Sequence, residues 1–126
     1  MHDKLTTMEA KENIIQEKSL QFAIRIVKLC KIIRNEKHEY ELASQLLRSG
    51  TSIGANICES KNAQSKNDFI NKLNIALKES DETEYWIRLL YKADILDKRG
   101  FDSIHNDCLE IIRLLTSIIK TSKDNY

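Results

Sequence analysis

Asp102-x-x-His105 is the nearest this sequence comes to the Glu-x-x-His pair with which helical bundles hold two iron ions. Such a centre needs two copies and further inward-facing glutamates. Here there is a single copy, with aspartate, at a helix start, where it reads as a cap and a surface imidazole. The other histidines are His2 and His38, and none of the three lies in a nucleophile motif, so the many serines have no hydrolytic triad to join. Cys30, Cys58 and Cys108 are odd in number, widely spaced and without a CxxC pair. They read as reduced thiols packed as small core residues, not as a disulfide, zinc or nucleophile set. The expectation is a protein with no catalytic residues, no metal and no cofactor.

The segment RSGTSIGANICES, residues 48–60, raises a second chemistry, phosphate binding by a glycine loop. GTSIG has neither the Walker spacing nor a lysine after its second glycine, and no strand precedes it. Read as helix, the segment carries Leu42, Leu46, Ser49, Ile53 and Ile57 on one seam and Ala43, Leu47, Gly50, Gly54 and Cys58 on the next. Each helical glycine costs about 1 kcal/mol relative to alanine. A strip of small side chains offsets that cost by letting a neighbouring helix approach closely. Gly50 and Gly54 are therefore assigned to packing.

The elements that position these residues follow from periodicity. The chain of 126 residues has no proline and three glycines, so little interrupts long helices. Ile15, Ser19, Phe22, Ile26, Leu29 and Ile33 recur in steps of four and three, as do Phe69, Leu73, Ala76, Ser80, Thr83, Ile87, Leu90 and Asp94, and then Ile104, Cys108, Ile111, Leu115 and Ile118. The predicted helices cover about 10–35, 39–60, 66–96 and 103–122. Ser65 with Asp68 reads as a capping box, and Gly100 as a left-handed turn residue just past the third helix. Short connections between long helices favour antiparallel neighbours, which predicts one all-α domain over 1–126, an antiparallel up-down-up-down four-helix bundle.

Charge and surplus apolar surface suggest partners. Lys and Arg total 20 against 19 Asp and Glu, a net charge of +1, so no global field draws the chain to nucleic acid or an anionic membrane. Local contact with phosphates would fall to Arg25, Lys28, Lys31, Arg34 and Lys37. Glu79, Asp81, Glu82 and Glu84 make the middle of the third helix acidic, and Arg48 is a candidate partner for Glu82 or Glu84. Leu20, Ile24 and Val27 form a second stripe on the first helix; Ile75, Trp86, Leu89 and Ala93 do so on the third. Two such stripes predict a homo-oligomer, with Trp86 as anchor. No apolar run approaches membrane-spanning length and the N-terminal residues lack a secretory apolar block, which predicts a cytoplasmic protein with no membrane partner.

Two resemblances add to this. Arg99 and His105, five residues between them, resemble the Arg-x(4 to 6)-His motif of the helical ribonucleases called HEPN domains. That resemblance implies an arginine stabilising phosphate charge and a histidine assisting proton transfer; Gly100 after the arginine departs from the family's helical placement. ELASQLLRSGTSIGANICES, with SKNDFINKLNIALKESDETEYWIRLLYKADIL, resembles the bacterial 23S ribosomal RNA intervening-sequence proteins, also called four-helix bundle proteins, over residues 18–120. The resemblance implies an antiparallel bundle, a barrel-like homopentamer and no known catalytic residues. It places Arg48, Gly50, Glu82, Glu84 and Trp86 in the family signature, assigned to packing and assembly. A related accessory protein of diversity-generating retroelements binds nucleic acid and a reverse transcriptase through a markedly basic surface. RNA or DNA, and a reverse transcriptase or other protein, are thus the implied partners of a scaffold or accessory protein, with the HEPN-like ribonuclease as alternative.

Overall fold

Without proline, and with long runs of apolar residues at helical spacing, the backbone satisfies its own hydrogen bonds over most of its length. A computed structural model describes residues 4–124 as four helices: α1 (Lys4–Lys37), α2 (Tyr40–Ser60), α3 (Lys66–Lys92) and α4 (Lys98–Asp124). Each helix packs on its neighbours in the order α1–α2–α3–α4–α1, the closed ring of an antiparallel four-helix bundle.

The seams read from the sequence form the core. Ile15, Phe22, Ile26 and Ile33 of α1 meet Leu46, Ile53 and Ile57 of α2, Leu73, Ile87 and Leu90 of α3, and Ile111, Leu115 and Ile118 of α4, all at most 2 % exposed. Cys30 and Cys108 are buried among them, whereas Cys58 is exposed, against the expectation that all three are core residues. It lies in the last turn of α2, at the solvent edge of the small-residue strip. Buried hydroxyls are satisfied locally: Ser19, Ser49, Ser60, Ser80 and Thr83 each donate to a carbonyl three or four residues earlier.

Helix ends differ from the periodicity by more than two residues in three places, the first being α1, which begins at Lys4 and not near residue 10. Ser65 caps α3 as expected, its Oγ accepting from the Asp68 N–H at 3.0 Å. But α3 stops at Lys92 and α4 begins at Lys98, before the predicted boundaries. Gly100 lies in the first turn of α4 and is not left-handed; that conformation falls to His38 (φ 58°) and Asp94 (φ 63°). The physical reason is side-chain capping. Asp97 Oδ1 accepts from the Gly100 N–H at 2.7 Å, so aspartate opens α4 where glycine was expected to close α3.

The two sides of α1 are built differently. Toward α2, a Cβ added at Gly50 would lie 2.9 Å from Ile26 Cγ2, and one at Gly54 would lie 3.4 Å from Ser19 Oγ. Cys30 Sγ also donates to the Ala43 carbonyl at 3.3 Å, so the two helices run nearly in contact. Toward α4, polar rungs replace close packing: Lys11 to Ser117 (3.2 Å), Lys18 to Glu110 (2.8 Å), and Arg25 to Asp107 and Ser103. The rungs advance by seven residues on α1 as Ser117, Glu110 and Ser103 step back by seven on α4.

Candidate interaction surfaces

His105 is committed to the α3–α4 seam. Its Nε2 lies 2.8 Å from Glu84 Oε2, which also accepts from Arg88 Nε at 2.9 Å. The imidazole stacks on Phe101 (centroids 4.6 Å apart), and Phe101 stacks on Tyr91 at 4.4 Å. Arg99 is exposed in the first turn of α4. It lies six positions before His105, about 240° of helix rotation beyond a full turn, so one chain does not aim the two at a common phosphate. Among the described residues no group of three or more His, Cys, Asp and Glu is placed to hold a metal ion.

Arg48 bridges α2 to α3. Its guanidinium pairs with Glu79 (3.1 Å) and Glu82, and Glu82 also accepts from Trp86 Nε1 at 3.0 Å. Glu84 takes no part, being turned to α4 by His105, and Glu79 stands in its place. A helix explains this, since Glu79 and Glu82 are one turn apart on the α2 side of α3 while Glu84 falls toward α4. Trp86 is half-buried against the core and walls a groove with Tyr40 and Leu42, so much of its ring is already covered within one chain. Ile75 and Leu89 are half-buried, Ala93 is exposed, and Tyr85 beside Trp86 is exposed.

The five cations of α1 do not share a face. Residues three apart on a helix fall about 60° short of a full turn, so the series 25, 28, 31, 34, 37 winds around α1. Arg25 lies against α4, paired with Asp107, and Arg34 donates to Ser44 of α2 at 2.6 Å. Lys28, Lys31 and Lys37 are exposed, and no acid among the described residues pairs with them. Lys28 and Lys37 edge a groove of about 770 Å³ that also holds Lys98, with Ile32 and Ile95 in its wall.

Leu20, Ile24 and Val27 are 54 %, 40 % and 38 % exposed, a solvent-facing stripe on α1. Across the Gly50 and Gly54 contacts lie half-buried Leu47 and Thr51 and exposed Ala55 and Cys58 of α2. Together they make an α1–α2 face whose centre carries no charge. The sequence reading found the α1 half of this face and missed the α2 half, because Thr51, Ala55 and Cys58 give no apolar stripe; their smallness was the available signal. It also missed the α1–α4 rungs, which were visible as Lys11, Lys18 and Arg25 at seven-residue spacing. Among the described residues no helix is long and apolar enough to cross a membrane.

Residues 11–117 match the family described as 23S rRNA-intervening sequence protein. The fold is similar to the crystal structure of a protein with unknown function from the S23 ribosomal protein family of Bacteroides thetaiotaomicron VPI-5482. That likeness has 56 % identity and a TM-score of 0.86, and it covers 87 % of this chain and 98 % of that one. No curated protein matches.

Proposed function

The chain belongs to the 23S rRNA-intervening sequence protein family, and we propose that this member is a non-catalytic, homo-oligomeric cytoplasmic scaffold that presents unpaired lysines to RNA or DNA. The observation that carries the reading is the exposed Leu20–Ile24–Val27 stripe beside a neutral, small-residue strip of α2. Large aliphatic side chains left in water on a charged chain favour burial against another subunit, at about 25 cal/mol per Å² of apolar area. The Trp86 flank of α3 is a different surface, so a contact joining the two is head-to-tail, the kind that forms a ring when the rotation between copies closes. A homopentamer is the ring the family resemblance implies. Lys28, Lys31 and Lys37, unpaired in one chain, recur around such a ring and gain by multivalency what a net charge of +1 does not supply.

The test is sedimentation of the purified protein beside a Leu20→Glu/Ile24→Lys variant. Wild type sediments as a closed oligomer and the variant as a folded monomer; an unchanged mass in the variant moves the interface elsewhere. Titration with labelled structured RNA at several salt concentrations tests the second half. Binding falls steeply with salt and weakens in Lys28→Ala/Lys31→Ala/Lys37→Ala. Metal-independent RNA cleavage abolished by His105→Ala would overturn the non-catalytic reading.

A further inference from the structure

At the end of the bundle where α1 finishes and α3 hands over to α4, a groove of about 770 Å³ runs between α1 and the α3–α4 turn. That is the size of a site for a small organic group. Its apolar wall includes Leu29 and Ile32 of α1, Ile95 of the turn and Tyr91 of the last turn of α3. Ile32 is 49 % exposed, an aliphatic side chain left in water on the same groove as an aromatic ring.

Two observations single this groove out. The first is the setting of Tyr91. It ends a column of rings, stacked on Phe101 with the planes 17° apart, while Phe101 stacks on His105 with the planes 18° apart. His105 is held in turn by Glu84, so Tyr91 reaches the groove with its orientation already fixed, the preorganisation that a stacking platform needs. The second is charge. Arg25, Lys28, Lys37 and Lys98 line the groove against two acids, Asp94 and Asp97. Arg25 is paired with Asp107 and Lys98 with Asp102, and the Asp97 carboxylate accepts from the Gly100 N–H. Among the described residues no acid pairs with Lys28 or Lys37, and no cation pairs with Asp94. Lys92 Nζ, 5.8 Å from the Tyr91 centroid, adds a further cation beside the ring.

We propose that this groove takes one unpaired nucleotide of a single-stranded nucleic acid, its base stacked on Tyr91 against Ile32 and its flanking phosphates on Lys28 and Lys37. The proposal rests on the nucleic-acid half of the scaffold reading and narrows it, because lysines alone attract any phosphate backbone whereas a stacking ring selects strands whose bases are free. A duplex keeps its base faces covered and offers the groove only phosphates. Asp94 repels phosphate from the α3–α4 turn, which sets the strand toward the lysines of α1. The groove lies away from the Leu20–Ile24–Val27 stripe, so assembly does not depend on it.

The experiment is fluorescence-anisotropy titration of the full chain with two labelled strands of about 12 nucleotides, oligouridine and an abasic strand with the same phosphate backbone. Oligouridine binds about fivefold or more tightly than the abasic strand. That ratio falls to near one in Tyr91→Leu, is kept in Tyr91→Phe, and shrinks in Ile32→Ala, whose exposed position leaves the fold intact. Lys28→Ala/Lys37→Ala weakens both strands and flattens the salt dependence of binding without changing the ratio. Asp94→Asn, which keeps the left-handed turn, tightens both strands. Equal affinity for the two strands overturns the groove and leaves lysine contact with phosphates standing, whereas no binding of either strand at low salt overturns both. A wild-type ratio that survives in Tyr91→Leu and in Ile32→Ala places the base elsewhere and also overturns the proposal.

Discussion

Gly50 and Gly54 occupy the same strip yet carry different constraints. A Cβ at Gly50 would stand 2.9 Å and 3.0 Å from two carbons of Ile26, a fully buried β-branched side chain that cannot swing away. Gly50→Ala should therefore destabilise by about 1–3 kcal/mol through overpacking. At Gly54 the nearest atoms lie 3.4–3.6 Å away, ordinary contact, so Gly54→Ala should gain up to about 1 kcal/mol of helix propensity. Urea unfolding of the two variants side by side tests this; equal losses would mean that Gly54 is no more tolerant than Gly50. The sequence displayed the small-residue strip but could not rank its glycines, because the ranking depends on which α1 side chain lies opposite. The cysteines divide in a similar way. Burial pushes the Cys30 thiol up to about 11 and the Cys108 thiol up to about 12, while Cys58 is exposed. A thiol reagent at pH 8 should modify Cys58 promptly in the monomeric Leu20→Glu/Ile24→Lys variant and the other two only as the chain unfolds; rapid reaction of all three would contradict the buried placement. Both folded values are raised, so this contribution to stability is intact below the ordinary thiol value near 9 and is lost as pH climbs toward 11 to 12.

Among the elements, the four helices were legible because their seams hold a helical period over many turns, and the bundle order followed from short connections. The α3–α4 turn was not. Asp94 continues the seam of α3 in the sequence, yet it is exposed and left-handed, because aspartate tolerates that conformation and the chain must reverse there. Ile95 and Leu96 both direct their N–H groups to the Leu90 carbonyl, closing α3 without a glycine. The signal that was present, Asp97 three residues before Gly100, is a helix start mistaken for a helix end. Asp97→Ala should therefore cost about 0.5–2 kcal/mol by removing the acceptor for the Gly100 N–H. A thermal unfolding midpoint unchanged from wild type would mean that the cap is dispensable.

At the scale of the whole molecule, the surface is divided by chemistry: neutral and small-featured along α1–α2, charged and rung-like along α1–α4. If copies join through the neutral face, raising sodium chloride from 0.05 to about 0.5 M should leave the oligomer intact while stripping bound RNA, since only the second contact depends on counterion release. Dissociation of the oligomer over that range would place the interface on charged residues instead. This division was not legible in the residues alone, because it arises from which edges of α1 face α2 and α4. The α1–α4 rungs carry one more consequence, for the order in which the bundle assembles. Their partners are 78 to 106 residues apart, so closing that edge requires the longest chain loop in the fold. The α1–α2, α2–α3 and α3–α4 hairpins close over short connections and need no such search. The transition state should then hold the sequential hairpins with the α1–α4 edge still unclosed, and rung side chains should give φ-values near zero. Weakening a rung will show in how fast the protein comes apart, and hardly at all in how fast it folds.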